Sequence, residues 1–70
     1  MKTDINIEFG NRVIALRTAQ GISQEELAFR CGIHRAYMGI IERGEKSVTL
    51  NTIDKIAKGL QVEISELFKK

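Results

Sequence analysis

The chain has no proline, no tryptophan and a single cysteine among its 70 residues. Without proline, nothing interrupts a helix from within. A lone Cys31 closes no internal disulfide and has no partner at metal-ligand spacing, so neither cross-links nor a metal are implied. It reads as a small apolar residue near the end of a helix, with a redox-sensing thiol as the minor alternative. Aromatics amount to three phenylalanines and one tyrosine, and no segment alternates apolar and polar residues over the length of a strand. An all-α fold follows from this composition. No apolar run is long enough to span a bilayer, and the N-terminal MKTDINIEFG lacks the basic and apolar zones of a signal peptide. A cytoplasmic protein with no membrane contact is the expectation. There is no Ser/His/Asp or Cys/His set, no pair of acids suited to a cleft and no phosphate-cradling glycine loop, which argues against an enzyme and against a cofactor.

Such a short chain makes one domain, spanning residues 1–70, and buries only about 60% of the surface its unfolded form exposes. Its stability is therefore marginal, and association with a second copy would help. No linker, internal repeat or low-complexity stretch divides it. The apolar spacing predicts five helices. The first runs from Ile5 or Ile7 to Ala19, with Phe9, Val13 and Leu16 inward and Gly21 ending it. A fourth starts after Thr49, whose hydroxyl caps it, and carries Ile53, Ile56, Ala57 and Leu60 on one face. A short fifth covers Ile64 to Phe68.

Between these lies SQEELAFRCGIHRAYMGIIERG, residues 23–44, the most informative stretch. Ser23 and Glu26 have the spacing of a capping box, which starts a helix at Gln24. Gly32 reverses the chain through a left-handed conformation, Ile33 plugs the turn, and His34 opens a further helix that Gly44 stops. Counted from Gln24 as the first position, Ala28 is fifth, Gly32 ninth, Met38 fifteenth and Ile41 eighteenth. Two helices joined by a tight turn and crossing at roughly 90–120° leave space only for a small side chain at the crossing, which the fifth position supplies. The motif, about residues 24–43, is thus a helix-turn-helix, a device that reads duplex DNA; a plain helical hairpin is the weaker alternative.

Charge agrees through its distribution more than its sum. The net charge is only +2, a weak field by itself. From Arg30 to Lys46, however, Arg30, Arg35, Arg43 and Lys46 face only Glu42 and Glu45, while the other acids fall outside that stretch.

Over nearly its full length the chain resembles the Cro and phage-repressor, or Xre, family of helix-turn-helix proteins. The resemblance runs through Phe9-Gly10-Asn11-Arg12-Val13, Leu16-Arg17, Gly21 to Ala28, Tyr37-Met38, Ile41-Glu42-Arg43-Gly44, Leu50 to Ala57, and Val62 with Glu66-Leu67-Phe68. Within the family, His34-Arg35-Ala36-Tyr37, Ile41 to Gly44 and Ser47 to Leu50 most resemble the small controller proteins of restriction-modification systems. Gly39, Gly59 and Glu63 depart from the family pattern, where serine, alanine and a serine or aspartate cap are usual. The resemblance implies a transcriptional regulator of the repressor-like fold, with double-stranded DNA as partner and RNA polymerase as a candidate one. An antitoxin that also regulates its own gene is the alternative; no tail beyond the last helix is left here to wrap a toxin. No effector domain is present, so no small-molecule effector is expected.

A helix in the major groove presents its N-terminal residues and its outer face to base edges. Those are His34, Arg35, Ala36, Tyr37 and Ile40. Arg35 offers a bidentate fork for guanine, whereas Ala36 and Ile40 offer only apolar contact, so direct readout is sparse and DNA shape should contribute. In the family, the residue corresponding to Gln24 meets a phosphate at a helix N-terminus. Arg43, Lys46 and Ser47 suit flanking phosphates. His34 has no neighbour at ligand spacing, so no metal site is expected. The family also pairs Arg17 with Glu42 as a partly buried structural ion pair. A monomer would read one half-site, so a homodimer on a pseudo-palindrome is expected; the candidates for its interface are Ile53, Leu60, Val62, Ile64, Leu67 and Phe68, some of which belong simply to the core, and spacing does not sort the two.

Overall fold

The computed structural model describes residues 4–69. Four α-helices, α1 (Asp4–Ala19), α2 (Gln24–Cys31), α3 (Arg35–Glu42) and α4 (Leu50–Leu60), are followed by one 3₁₀ helix, Ile64–Phe68. The fifth helix expected from the sequence is therefore not an α-helix. Its five residues are too few to close several α-helical turns, and Glu63 in the cap position makes no side-chain bond to the orphan amides. The segment instead uses the tighter bond from Glu66 N–H to the Glu63 carbonyl, 2.9 Å.

Local chemistry fixes each boundary. Ser23 Oγ accepts from the Glu26 amide at 3.0 Å, and Thr49 Oγ1 accepts from the Thr52 amide at 3.2 Å. Only half of the expected capping box forms, because the Glu26 carboxylate turns along α2 to Arg30, 3.0 Å away. Gly32, at φ 68°, ends α2, and the Ile33 amide returns to the Ala28 carbonyl at 2.9 Å. At the far end of α4, Gln20, in the turn after α1, donates to the Leu60 carbonyl at 2.7 Å, satisfying a terminal acceptor of the helix.

The core gathers Phe9 and Val13 of α1, Leu27, Ala28 and Cys31 of α2, Met38 and Ile41 of α3, Ile56, Ala57 and Leu60 of α4, and Leu67 of the 3₁₀ turn. Leu16, Ile33, Tyr37 and Ile53 pack around it. Two close approaches shape this packing. A Cβ on Gly10 would lie 2.6 Å from the carbonyl oxygens of both Ile41 and Glu42, so α1 meets the end of α3 backbone to backbone. A Cβ on Gly59 would overlap Cys31 Sγ, which explains the glycine where the family pattern has alanine. Cys31 itself is buried, and that burial pushes its thiol pKa up to about 11.

The C-terminal segment is strapped to α1. Arg12 Nε donates to the Glu66 carbonyl at 2.6 Å and its Nη2 to the Glu66 carboxylate at 3.3 Å. The rings of Phe9 and Phe68 pack in a tilted arrangement with centroids 5.4 Å apart. Among the described residues no helix is long and apolar enough to cross a membrane, and no group of side chains could hold a metal ion.

Candidate nucleic-acid interface

The two helices of the motif are held by their small and apolar positions. Ala28 is buried at their crossing, and Met38 and Ile41 are buried on the inner side of α3. What remains outside is the N-terminal end of α3. His34, Arg35 and Ala36 are exposed, Ile40 is half-buried, and Tyr37 is half-buried with its ring against the core. His34 stands one residue before the helix as its cap: Nδ1 accepts from the Ala36 amide at 3.3 Å. Only its other nitrogen is left to reach outward.

Electrostatics on this face differ from the sequence expectation. Glu25 and Glu26, just outside the basic stretch in sequence order, lie beside it, Glu26 along α2 and Glu25 across the crossing to α3. Arg30 pairs with Glu26 at 3.0 Å, Arg35 with Glu25 at 3.3 Å, and Arg43 with Glu45 at 2.9 Å. The hydrogen bond and charge of Glu45 hold the Arg43 guanidinium more firmly protonated than usual. Lys46 forms no ion pair among the described residues. The three arginines are nevertheless open to solvent, with Arg35 67% exposed at its side chain. Exposed pairs of this kind contribute roughly 0–1 kcal/mol each, so a phosphate or base edge competes readily for Arg30 and Arg35, while Arg43 keeps N–H groups beyond the two that Glu45 takes.

Behind the face lies a buried polar anchor. The Glu42 carboxylate, 3% exposed, accepts from Arg17 Nε at 2.8 Å, Arg17 Nη2 at 3.1 Å and Gln24 Nε2 at 2.9 Å. Arg17 also donates from Nη1 to the Ile22 carbonyl at 3.1 Å. The pair is thus fully hydrogen-bonded, as burial demands. Gln24, expected to face a phosphate, is at the same time tied by its amide to this anchor.

The loop after α3 is pinned as well. Gly44, at φ 72°, leaves its Cα side only 2.8 Å, at an added Cβ, from the backbone of Ile7. Asn6 of α1 is buried, and its Nδ2 reaches Ser47 Oγ at 3.5 Å. Lys46 and Ser47 are therefore carried on a short, braced turn at the end of α3. The sequence pattern assigns no packing role to Asn6 or Gly10. A glycine at position 10, inside an otherwise continuous helical pattern, was the available signal.

The expected interface residues separate clearly. Leu60 and Leu67 are fully buried in the chain's own core and have no surface to offer a second copy; they are removed from that set. A fully buried leucine and an interfacial one share the same helical spacing, so spacing does not separate them. Ile53 and Val62 are half-buried, while Ile64 and Phe68 are 45% and 48% exposed.

An all-helical fold in which a tight left-handed turn sets an exposed helix across another defines a helix-turn-helix regulator, and the helix-turn-helix family pattern matches residues 13–67. The chain belongs to that family. It is 43% identical to the control protein C.BamHI of Bacillus amyloliquefaciens, over 96% of this chain and 84% of that one. It is 41% identical to the control protein C.MunI of a Mycoplasma species, over 93% and 89% of the two chains. The crystal structure of the restriction-modification controller protein C.AhdI from Aeromonas hydrophila superposes with a TM-score of 0.86 at 50% identity, covering 89% of this chain and 94% of that one. The relatives are regulators, and no catalytic family is indicated.

Proposed function

We propose that the chain is a sequence-specific DNA-binding regulator that works as a homodimer on a pseudo-palindromic operator and controls a restriction-modification operon. The observation that carries this is the N-terminal end of α3, lifted clear of the core with Arg35 exposed at its tip while Met38 and Ile41 lock the opposite side. In the major groove, Arg35 donates two bonds to guanine, Ala36 and Ile40 meet thymine methyls, and His34 and Tyr37 flank them. Gln24, Arg43, Lys46 and Ser47 hold phosphates on either side. Arg17 and Glu42 stay inside as the ion pair that sets the angle between α1 and the motif.

Dimerisation is supported by the half-exposed Ile64 and Phe68 beside Ile53 and Val62, an apolar margin on α4 and the C-terminal turn. With two-fold symmetry the reading helices stand about 34 Å apart, one turn of B-DNA. The likeness to control proteins of restriction-modification systems supports the operon assignment. Footprinting on the DNA immediately upstream of the gene tests the whole reading. Protection of an inverted repeat by a species of twice the monomer mass is the expected result; protection of no discrete site, or binding by a monomer, rejects it.

A further inference from the structure

Gly39 lies in the middle of α3, where glycine weakens a helix relative to alanine. At Gly10 the fold requires that sacrifice, since a Cβ would strike backbone carbonyls. Position 39 is different. The three atoms nearest to a Cβ built there all belong to side chains: Arg43 Nη1 at 3.0 Å, Gln24 Oε1 at 3.6 Å and Arg43 Cζ at 3.9 Å. Packing against a rigid neighbour does not exclude a side chain here. A movable guanidinium occupies its place.

Arg43 follows α3 and folds back along it by one turn, as long side chains at helix ends do. Glu45 takes its Nε at 2.9 Å and its Nη2 at 3.2 Å. Nη1 is left as the end that meets Gly39. Gln24 arrives at the same spot from α2, with Nε2 given to Glu42 and Oε1 turned toward the glycine. Residues from the start and the end of the motif therefore converge over one missing side chain.

We infer that Gly39 is a positioning residue for the DNA backbone: its notch seats Arg43 against α3 beside Gln24, so that both residues grip the same stretch of one strand. The inference rests on the DNA-binding reading above. An arginine swinging freely loses much rotamer freedom when a phosphate captures it, whereas one laid in a notch and clipped by Glu45 has lost it beforehand. With two of its five N–H donors on Glu45, the remaining three, two of them on Nη1, serve a phosphate oxygen.

Gly39→Ala, Arg43→Ala and the double variant, titrated with a random-sequence DNA duplex across a salt series and melted alongside the parent, test this. Gly39→Ala is expected to melt at or above the parent temperature, yet to bind about fivefold more weakly with a salt slope lower by about one. Adding it to Arg43→Ala should remove little more, because the arginine it displaces is already gone. Unchanged affinity in Gly39→Ala, losses that add in full, or a lowered melting temperature that marks a packing glycine would each overturn the inference. If the parent fails to bind the duplex even at low salt, the DNA-binding reading falls and takes this one with it; binding by the parent with no effect at position 39 rejects the notch alone.

Discussion

Gln24 at the tip of α2 donates from its carboxamide to Glu42 Oε1 at 2.9 Å, so a residue proposed to meet a DNA phosphate is anchored on the same buried carboxylate that Arg17 holds. Face and core are thus one hydrogen-bonded unit. Disturbing the anchor should register at both levels.

Replacing Glu42 by alanine leaves the Arg17 guanidinium, 16% exposed, without its carboxylate. Stranding one partner of a buried pair costs roughly 3–5 kcal/mol, which is comparable to the whole stability available to a chain of this size. Circular dichroism during urea titration is expected to show Glu42→Ala largely unfolded before denaturant is added. A cooperative transition within about 1 kcal/mol of the parent would show that the pair does not matter structurally.

Gly10→Ala should destabilise by roughly 1–3 kcal/mol, since backbone atoms of α3 stand where the methyl must go. The gain in helix propensity, about 1 kcal/mol, offsets part of that. Thermal melts of Gly10→Ala and Gly39→Ala should move in opposite directions from the parent.

Arg35→Ala should relax preference at one base pair by roughly 1–3 kcal/mol while leaving the others intact. Competition with operator variants, each altered at one position, reads this directly. Equal weakening on operator and random DNA would contradict a base-reading role for Arg35.

Lys46, without an acid partner among the described residues, carries its charge unshared on the turn after α3. Lys46→Ala should weaken all sequences alike and lower the slope of log affinity against log salt by about one. A change confined to one sequence would reassign Lys46 to base contact.

Burial raises the Cys31 thiol from its ordinary 9.0 to about 11. Below pH 9 folded and unfolded chains both keep the proton, and this group makes no pH-dependent difference. Between about 9 and 11 only the unfolded chain releases it, so stability should decline with rising pH across that window and level off above it. Cys31→Ala should flatten the decline in urea midpoints, and the parent thiol should resist alkylation at neutral pH until denaturant is added.

The helix-turn-helix was legible because its constraints are local: Ala28 buried at the crossing, Gly32 at positive φ, and Met38 and Ile41 beneath α3 all follow from spacing along one segment. What spacing leaves open has a different cause. Whether Leu60 and Leu67 face the core or a partner depends on where the 3₁₀ turn docks on α1, which Arg12 and Phe9 decide from more than fifty residues away. The pairing of Glu25 with Arg35 arises only once α2 and α3 cross. Reading charges in sequence order left those acids out of the basic surface, although the fold brings them onto it.

The contact at Gly10 has a mechanical meaning. With main chain pressed on main chain, and Gly44 seated likewise on Ile7, the reading helix has no slack in which to roll or slide. On the proposed DNA-binding reading, any misfit between protein and operator would fall on the duplex, which would have to curve or change its groove width, and on the reach of a few long side chains. A stiff reader of this kind would sort DNA partly by how willingly it deforms.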